Sequence, residues 1–157
     1  MNAHALHDHT DRGDRSRWLA AGFIFGAISV VLFHQGAFAL LHAIQLTPRA
    51  PYSMQPTAPL GVPVLLSIAF WGGVWGVVLA ALLARLEGAA LVLAALVFGA
   101  LAPTLVAWFV VAPLKGQPVA AGWAPAGMAV GLIVNGAWGL GTGLGLALLR
   151  ARRKPAA

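Results

Sequence analysis

Four long stretches of this chain contain no Asp, Glu, Lys or Arg, and this feature restricts the possible folds more than any other. They cover residues 18–45, 61–84, 88–112 and 126–149. Each approaches or exceeds the ~20 apolar residues needed to cross a hydrocarbon core of ~30 Å. In lipid the backbone must satisfy its own hydrogen bonds, and no alternation typical of a barrel is visible. All four stretches are therefore predicted to be transmembrane helices.

The overall composition agrees with this prediction. Apolar residues make up 60% of the 157 residues and charged residues only 9%, whereas about a quarter of a soluble domain is charged. The mean hydropathy is +0.84. We therefore expect an all-α membrane protein whose four helices form an up-down bundle, with one transmembrane domain over residues 18–150. Cysteine is absent, which excludes disulfide and thiol-redox chemistry.

The charges indicate orientation rather than a nucleic-acid partner, because the basic residues lie at the ends of the apolar stretches and form no basic face. Arg49 and Lys115 occupy two of the connecting loops. The other eight of the ten basic residues lie on the opposite side: Arg12, Arg15, Arg17, Arg85, Arg150, Arg152, Arg153 and Lys154. The positive-inside rule makes that side cytoplasmic. We expect a multi-pass protein of a bacterial inner membrane with both termini in the cytoplasm.

The ends of the chain are predicted to be cytoplasmic tails. Residues 1–17 are polar and lack a sustained apolar period, which is typical of a flexible tail, and residues 151–157 form a short basic tail. His4, His7 and His9 in the first tail could gather a metal ion, but nothing organises them into a closed site, so no metal is predicted. The "AFA" at residues 37–39 resembles a signal-peptide cleavage site. An uncleaved first span is favoured because the apolar run continues past it.

The connections predict how the spans are paired. The external loop at residues 47–63 contains five prolines, and the loop at 112–125 is also bounded by proline. The internal turn "ARLEGA" at 84–89 is short, so the second and third spans are expected to form an antiparallel hairpin. The two halves of the chain also hint at a duplication, with "FGA" at 25 and 98 and "GVWG" at 73 against "GAWG" at 136. If the duplication is real, it relates two helical hairpins and aligns His34 with Ala107.

Small residues recur every four positions in two of the spans. The second span has Gly72 and Gly76, followed by Ala80 and Ala84. The fourth span has Gly127, Gly131, Gly139 and Gly143, with Asn135 in the same row. Such rows let helix backbones approach closely in lipid. They predict tight helix packing, either inside this chain or in a homo-oligomer or larger membrane-protein complex.

Uncharged polar side chains mark one level of the predicted bundle. At ~1.5 Å per residue, His34, Thr104 and Asn135 lie about 12 to 14 Å below the external surface. Gln35 adjoins His34, and Ser67 is somewhat shallower. Together these five residues predict a polar pocket that opens to the outside, with His42, Arg49 and Lys115 at its mouth.

Three interpretations of His34 remain open: a structural link between helices, a ligand or proton site, and a haem ligand. Haem is disfavoured because His34 and His42 lie about 80° apart on one helix and cannot bracket one iron. No cofactor is predicted. The spans contain no carboxylate and no cysteine, so catalysis is poorly supported.

The favoured function is a transport or binding component for a small molecule that the sequence does not identify. A structural subunit that packs against other membrane proteins is the main alternative, and a lipid-modifying enzyme is a distant third. We recognise no family from the sequence.

Overall fold

A computed structural model of the protein describes the backbone of residues 3–153 and the side chains of residues 13–152. Four helical segments in it are long and apolar enough to cross a membrane: Gly13–Ala43, Val64–Leu82, Gly88–Leu114 and Pro125–Arg152. The prediction of an all-α membrane protein with four transmembrane helices is therefore confirmed. The limits of the four spans differ from the predicted limits by a few residues. Turns and prolines determine where a helix ends, and hydropathy alone does not locate them.

The first and third spans are each interrupted by one π-helical turn. The first span consists of α1 (Ala3–Ser29), a π turn (Val30–His34) and α2 (Gln35–Ala43). The third consists of α4 (Gly88–Val106), a π turn (Ala107–Val111) and α5 (Ala112–Leu114). The second and fourth spans are single helices, α3 (Val64–Leu82) and α6 (Pro125–Arg153). The first long loop contains a two-stranded antiparallel ribbon of β1 (Pro56–Thr57) and β2 (Val62–Pro63), and the second contains a 3₁₀ turn (Val119–Trp123).

The N-terminal segment is helical from Ala3 onward, and its predicted flexibility and cytoplasmic location stay predictions. Residues 3–17 are helical and continuous with the membrane-spanning part of α1. This segment contains no proline, and a helix already nucleated in the span extends at little further cost. The side chains of His4, His7 and His9 lie outside the described residues. At the other end α6 continues to Arg153, and residues 154–157 of the predicted basic tail also lie outside them.

The first helix pair, α1 with α3, packs through glycine. A Cβ atom added to Gly22 would lie 2.5 Å from the carbonyl oxygen of Gly76 and 2.7 Å from Cβ of Ala80. A Cβ on Gly26 would lie 3.0 Å from Cα of Gly76 and would also meet the carbonyl oxygen of Gly72. Two backbones touch directly at this crossing, and no larger residue fits there.

The second helix pair, α4 with α6, repeats this crossing. A Cβ on Gly99 would lie 2.5 Å from the carbonyl oxygen of Asn135 and 2.7 Å from Cα of Gly139. A Cβ on Gly143 would lie 2.6 Å from Cβ of Ala95. Gly99 thus takes the place of Gly26, and Gly139 that of Gly76. These equivalences agree with the predicted alignment of "FGA" at 25 and 98 and of "GVWG" with "GAWG".

The remaining glycines of the fourth-span row have other neighbours. A Cβ on Gly127 would lie 3.0 Å from the side chain of Ala121 in the second loop. A Cβ on Gly131 would lie 3.3 Å from Nε1 of Trp108 and 3.5 Å from Cγ2 of Thr104. Only Gly139 and Gly143 of that row therefore meet the closely approaching part of α4.

Polar contacts link the two pairs along α1 and α6. The hydroxyl of Ser29 donates a hydrogen bond of 2.7 Å to the carbonyl oxygen of Trp138. The indole Nε1 of Trp138 in turn donates one of 2.9 Å to the carbonyl oxygen of Gly26. Helices α3 and α4 meet at very few positions, so the antiparallel hairpin of the second and third spans is not closely packed. A short turn makes two helices antiparallel neighbours in the chain. Whether they pack closely depends on the side-chain volumes on their facing surfaces. The bundle is therefore open between α3 and α4.

The two ends of the bundle differ in chemistry. One end, which we name the arginine end, contains Arg85 and Arg150. Arg150 donates hydrogen bonds to the carbonyl oxygens of Leu86 and Ala84, the latter at 2.7 Å, and its guanidinium carbon lies 4.2 Å from the ring centroid of Trp18. The other end, which we name the loop end, contains residues 44–63 and 115–124.

Candidate ligand-binding site

A cavity of about 630 Å³ occupies the opening between α3 and α4. All four spans line it. It contains His34 from the first span, Ser67 and Trp75 from the second, Pro103 from the third and Asn135 from the fourth. Its volume lies within the range of about 300 to 1,000 Å³ that is typical of small-molecule sites.

Both π turns border this cavity. Val30 and His34, the first and last residues of one turn, line it, and so do Ala107 and Val111, the first and last residues of the other. A π turn inserts one residue into the helical repeat and locally changes which side chains share a face, and such turns are frequent at functional sites. Sequence reasoning missed both turns. The only sequence signal near either of them is Pro103, one turn before the second.

Three of the five residues predicted for the pocket line the cavity, namely His34, Ser67 and Asn135. Thr104 is buried directly behind Asn135. The amide Nδ2 of Asn135 donates a hydrogen bond of 2.9 Å to the Thr104 hydroxyl, which in turn donates one of 3.4 Å to the carbonyl oxygen of Gly131. Thr104 therefore orients Asn135 and does not itself face the cavity.

Gln35, the fifth residue predicted for the pocket, is a support for a loop. Its side chain is buried, and its carbonyl Oε1 accepts a hydrogen bond of 2.6 Å from the backbone N–H of Tyr52. The phenol of Tyr52 donates one of 3.2 Å to the carbonyl oxygen of Val31. Tyr52 thus attaches the first long loop to the first span by two bonds. Gln35 does not line this cavity, because consecutive residues on a helix point about 100° apart.

The amide of Gln35 also determines the tautomer of His34. With Oε1 bonded to Tyr52, the amide Nε2 faces Nδ1 of His34 at 3.3 Å. An amide nitrogen can only donate, so Nδ1 is the acceptor and the neutral ring carries its proton on Nε2. Among the described residues Nε2 has no hydrogen-bond partner. His34 is half-buried and offers this N–H as a donor to the cavity.

The predicted mouth residues are divided between two places. Lys115, just after α5, lines the cavity at the loop end. His42 does not line it, since its Nδ1 lies 3.0 Å from the carbonyl oxygen of Thr47 and helps to close the turn after α2. Arg49 is exposed in the first long loop, also away from the cavity lining. The loop folds over the first span, and this could not be read from residue spacing.

Most of the cavity wall is apolar. The aromatic part of the wall is formed by Trp71, Trp75 and Trp138. The aliphatic part includes Val74, Val78 and Val106. Nearly every residue of these helices is apolar, so one sequence does not distinguish wall positions from positions that face lipid. The polar side chains of His34, Ser67 and Asn135 are thus a minority among mainly apolar lining residues.

The fold and the cavity define a class: a multi-pass membrane protein whose four helices form two similar pairs around a laterally open cavity. Comparison of the chain with protein-family models, curated proteins and solved structures finds no significant match.

Proposed function

We propose that the protein is a binding or transport component of a membrane and that it holds a small-molecule ligand in the cavity between α3 and α4. The observation that carries this proposal is the convergence of side chains from all four spans on one cavity of about 630 Å³. Three polar groups, on His34, Ser67 and Asn135, lie in a wall that is otherwise mostly apolar. This combination of apolar wall and few polar groups is typical of ligand sites.

The same proposal includes the location of the protein. We place it in a bacterial inner membrane with the arginine end in the cytoplasm, on the basis of the eight basic residues at that end. Four glycines of the predicted packing rows, Gly72, Gly76, Gly139 and Gly143, pack against helices of the same chain. A homo-oligomer or a larger complex thus stays a prediction that rests on other surfaces.

The test is a thermal-shift screen of the purified full-length protein across metabolite and lipid classes. Val74→Phe adds a ring inside the cavity, and Val97→Phe is the matched control because Val97 lies on α4 with 53% of its surface exposed, outside the cavity lining. We expect ligands that raise the Tm of the wild type and of Val97→Phe but not of Val74→Phe. A shift that survives in Val74→Phe would contradict the proposal. A purely structural subunit would show no ligand-dependent shift in any of the three proteins.

A further inference from the structure

The length of the cavity fits a chain-like ligand. On α3 its lining runs from Ser67 to Val78, about 16 Å at the helical rise per residue. At the loop end it reaches Lys115. A hydrocarbon core is ~30 Å thick, so the cavity is about as long as one leaflet is deep. An extended acyl chain inserted from the loop end would run along it between α3 and α4.

A sequence difference between the two helix pairs explains why this space is open. Position 141 on α6 corresponds to position 78 on α3 in the alignment that matches Gly139 with Gly76. On α6 it is glycine, and a Cβ there would meet the ring of Phe33 and the hydroxyl of Ser29, so α6 and α1 pack tightly. On α3 it is Val78, which lines the cavity. We attribute the opening between α3 and α4 to this added side-chain volume.

The cavity also opens sideways. Three of its lining residues are well exposed: Trp71 at 57%, Val78 at 37% and Val111 at 39%. They lie on α3 and on the third span, at the edges of the gap. In a bilayer these edges face hydrocarbon, so an acyl chain can enter from the surrounding lipid without passing through water.

The charge at the loop end selects the headgroup. The four acidic residues of the sequence, Asp8, Asp11, Asp14 and Glu87, precede the first span or lie in the turn at the arginine end. Within the part of the chain whose side chains the structure describes, the two basic residues of the loop end, Arg49 and Lys115, therefore have no carboxylate on their side of the bundle. Of these two, Lys115 lines the cavity. Its ammonium group favours a ligand that brings its own negative charge.

The polar groups below Lys115 fit the part of an amphiphile that joins head to chain. His34 presents an Nε2–H donor, because its Nδ1 accepts from Gln35. Asn135 has its Nδ2 bonded to Thr104, which leaves its Oδ1 as an acceptor, and Ser67 adds a hydroxyl. An ester or glycerol segment carries oxygen atoms that accept from His34 and hydroxyl groups that donate to Asn135.

We infer that the ligand is an anionic amphiphile with one acyl chain, bound with its headgroup beside Lys115 and its chain between α3 and α4. The inference rests on the proposed function and adds the ligand class. The same chemistry is available from two sources, a lysophospholipid with a phosphate headgroup and a free fatty acid with a carboxylate.

The experiment uses tryptophan fluorescence, because Trp71, Trp75 and Trp138 line the cavity. The full-length protein is placed in nanodiscs of unlabelled phosphatidylcholine and titrated with three amphiphiles brominated on the acyl chain. These are lysophosphatidylglycerol, lysophosphatidylcholine and a fatty acid. Bromine quenches only tryptophans that it contacts. The variants Val74→Phe, Val97→Phe, Lys115→Gln and Lys115→Arg leave the tryptophan number unchanged.

We expect lysophosphatidylglycerol to quench at about fivefold lower concentration than lysophosphatidylcholine, the size of effect that one lysine near a membrane surface produces. Lys115→Gln should abolish this preference, Lys115→Arg should keep it, and Val74→Phe but not Val97→Phe should remove the saturable quenching. Saturable quenching by the fatty acid alone would also support the inference and identify the carboxylate source.

Two results would overturn the inference. Equal quenching by the neutral and the anionic lysolipid, with Val74→Phe removing the quenching by both, would show that the cavity binds acyl chains but does not prefer an anionic headgroup. The inferred ligand class would then be wrong. If Val74→Phe leaves the quenching unchanged, the lipids only surround the protein and the acyl-chain site is wrong. In that second case a thermal shift by a water-soluble compound that Val74→Phe removes would leave the proposed function standing.

Discussion

The side-chain amide of Asn135 on α6 donates a hydrogen bond of 2.9 Å to the hydroxyl of Thr104 on α4. This bond lies at the wall of the cavity and joins the third span to the fourth. Interhelical hydrogen bonds in membrane proteins contribute about 0.6 kcal/mol on average and up to about 1.7 kcal/mol. Asn135 therefore holds α4 to α6, and under the proposed function its Oδ1 also accepts from the ligand.

We expect Asn135→Ala and Thr104→Val each to lower the free energy of unfolding by roughly 0.5 to 2 kcal/mol. The double variant should lose less than the sum of the two, because both changes remove the same bond. Unfolding in micelles followed by steric trapping measures these energies. Additive losses would mean that the two side chains act independently and that the bond contributes nothing.

Glycine at the crossing of α4 with α6 is expected to be essential for stability. Gly139→Ala places a methyl group against Ala95 and within 2.9 Å of Cα of Gly99, and overpacking of this kind costs about 1 to 3 kcal/mol. Gly36→Ala is the matched control, because a Cβ there meets no atom within 4 Å and α2 is helical at this position. We expect the control to be neutral or stabilised by up to about 1 kcal/mol. Equal Tm values for Gly139→Ala and the wild type would show that α4 and α6 separate easily.

His34 and Gln35 should respond differently to truncation although they are neighbours. His34→Ala removes the donor that faces the cavity and should reduce the ligand-dependent thermal shift more than it reduces the Tm of the ligand-free protein. Gln35→Ala removes the acceptor of the partly buried Tyr52 N–H, a hydrogen bond worth about 1 kcal/mol, and should lower that Tm first. If His34→Ala lowered the Tm of the ligand-free protein more than Gln35→Ala does, His34 would be the structural residue of the two.

The orientation of the bundle can be measured with reporter fusions. A reporter that is active only in the cytoplasm should be active when fused after Glu87 or at the C terminus and inactive when fused at Gln55 in the first long loop. The reason is the excess of Arg and Lys at the arginine end. Activity at Gln55 combined with inactivity at the C terminus would invert the proposed topology, and with it the side from which Lys115 meets its ligand.

The sequence by itself determined the number, type and approximate limits of the spans. An uncharged stretch such as residues 88–112 has one low-energy arrangement in lipid, because its backbone must bond to itself. The sequence also indicated the matching crossings at Gly76 and Gly139, since a contact between two backbones excludes every residue with a large side chain. In both cases the constraint is local to the residues that reveal it.

Only the tertiary structure decided which polar side chains share a site. Gln35 and His34 are adjacent in sequence, yet one supports a loop and the other faces the cavity, because a π turn ends between them and sets the rotation of each. The opening between α3 and α4 is likewise a tertiary feature, and Val78 lines it where α6 has Gly141 at the matching position. Helix rotation and side-chain volume determine contacts between helices that are distant in the chain. A helix that is apolar on every face has a hydropathy pattern that predicts neither its rotation nor its packing partner.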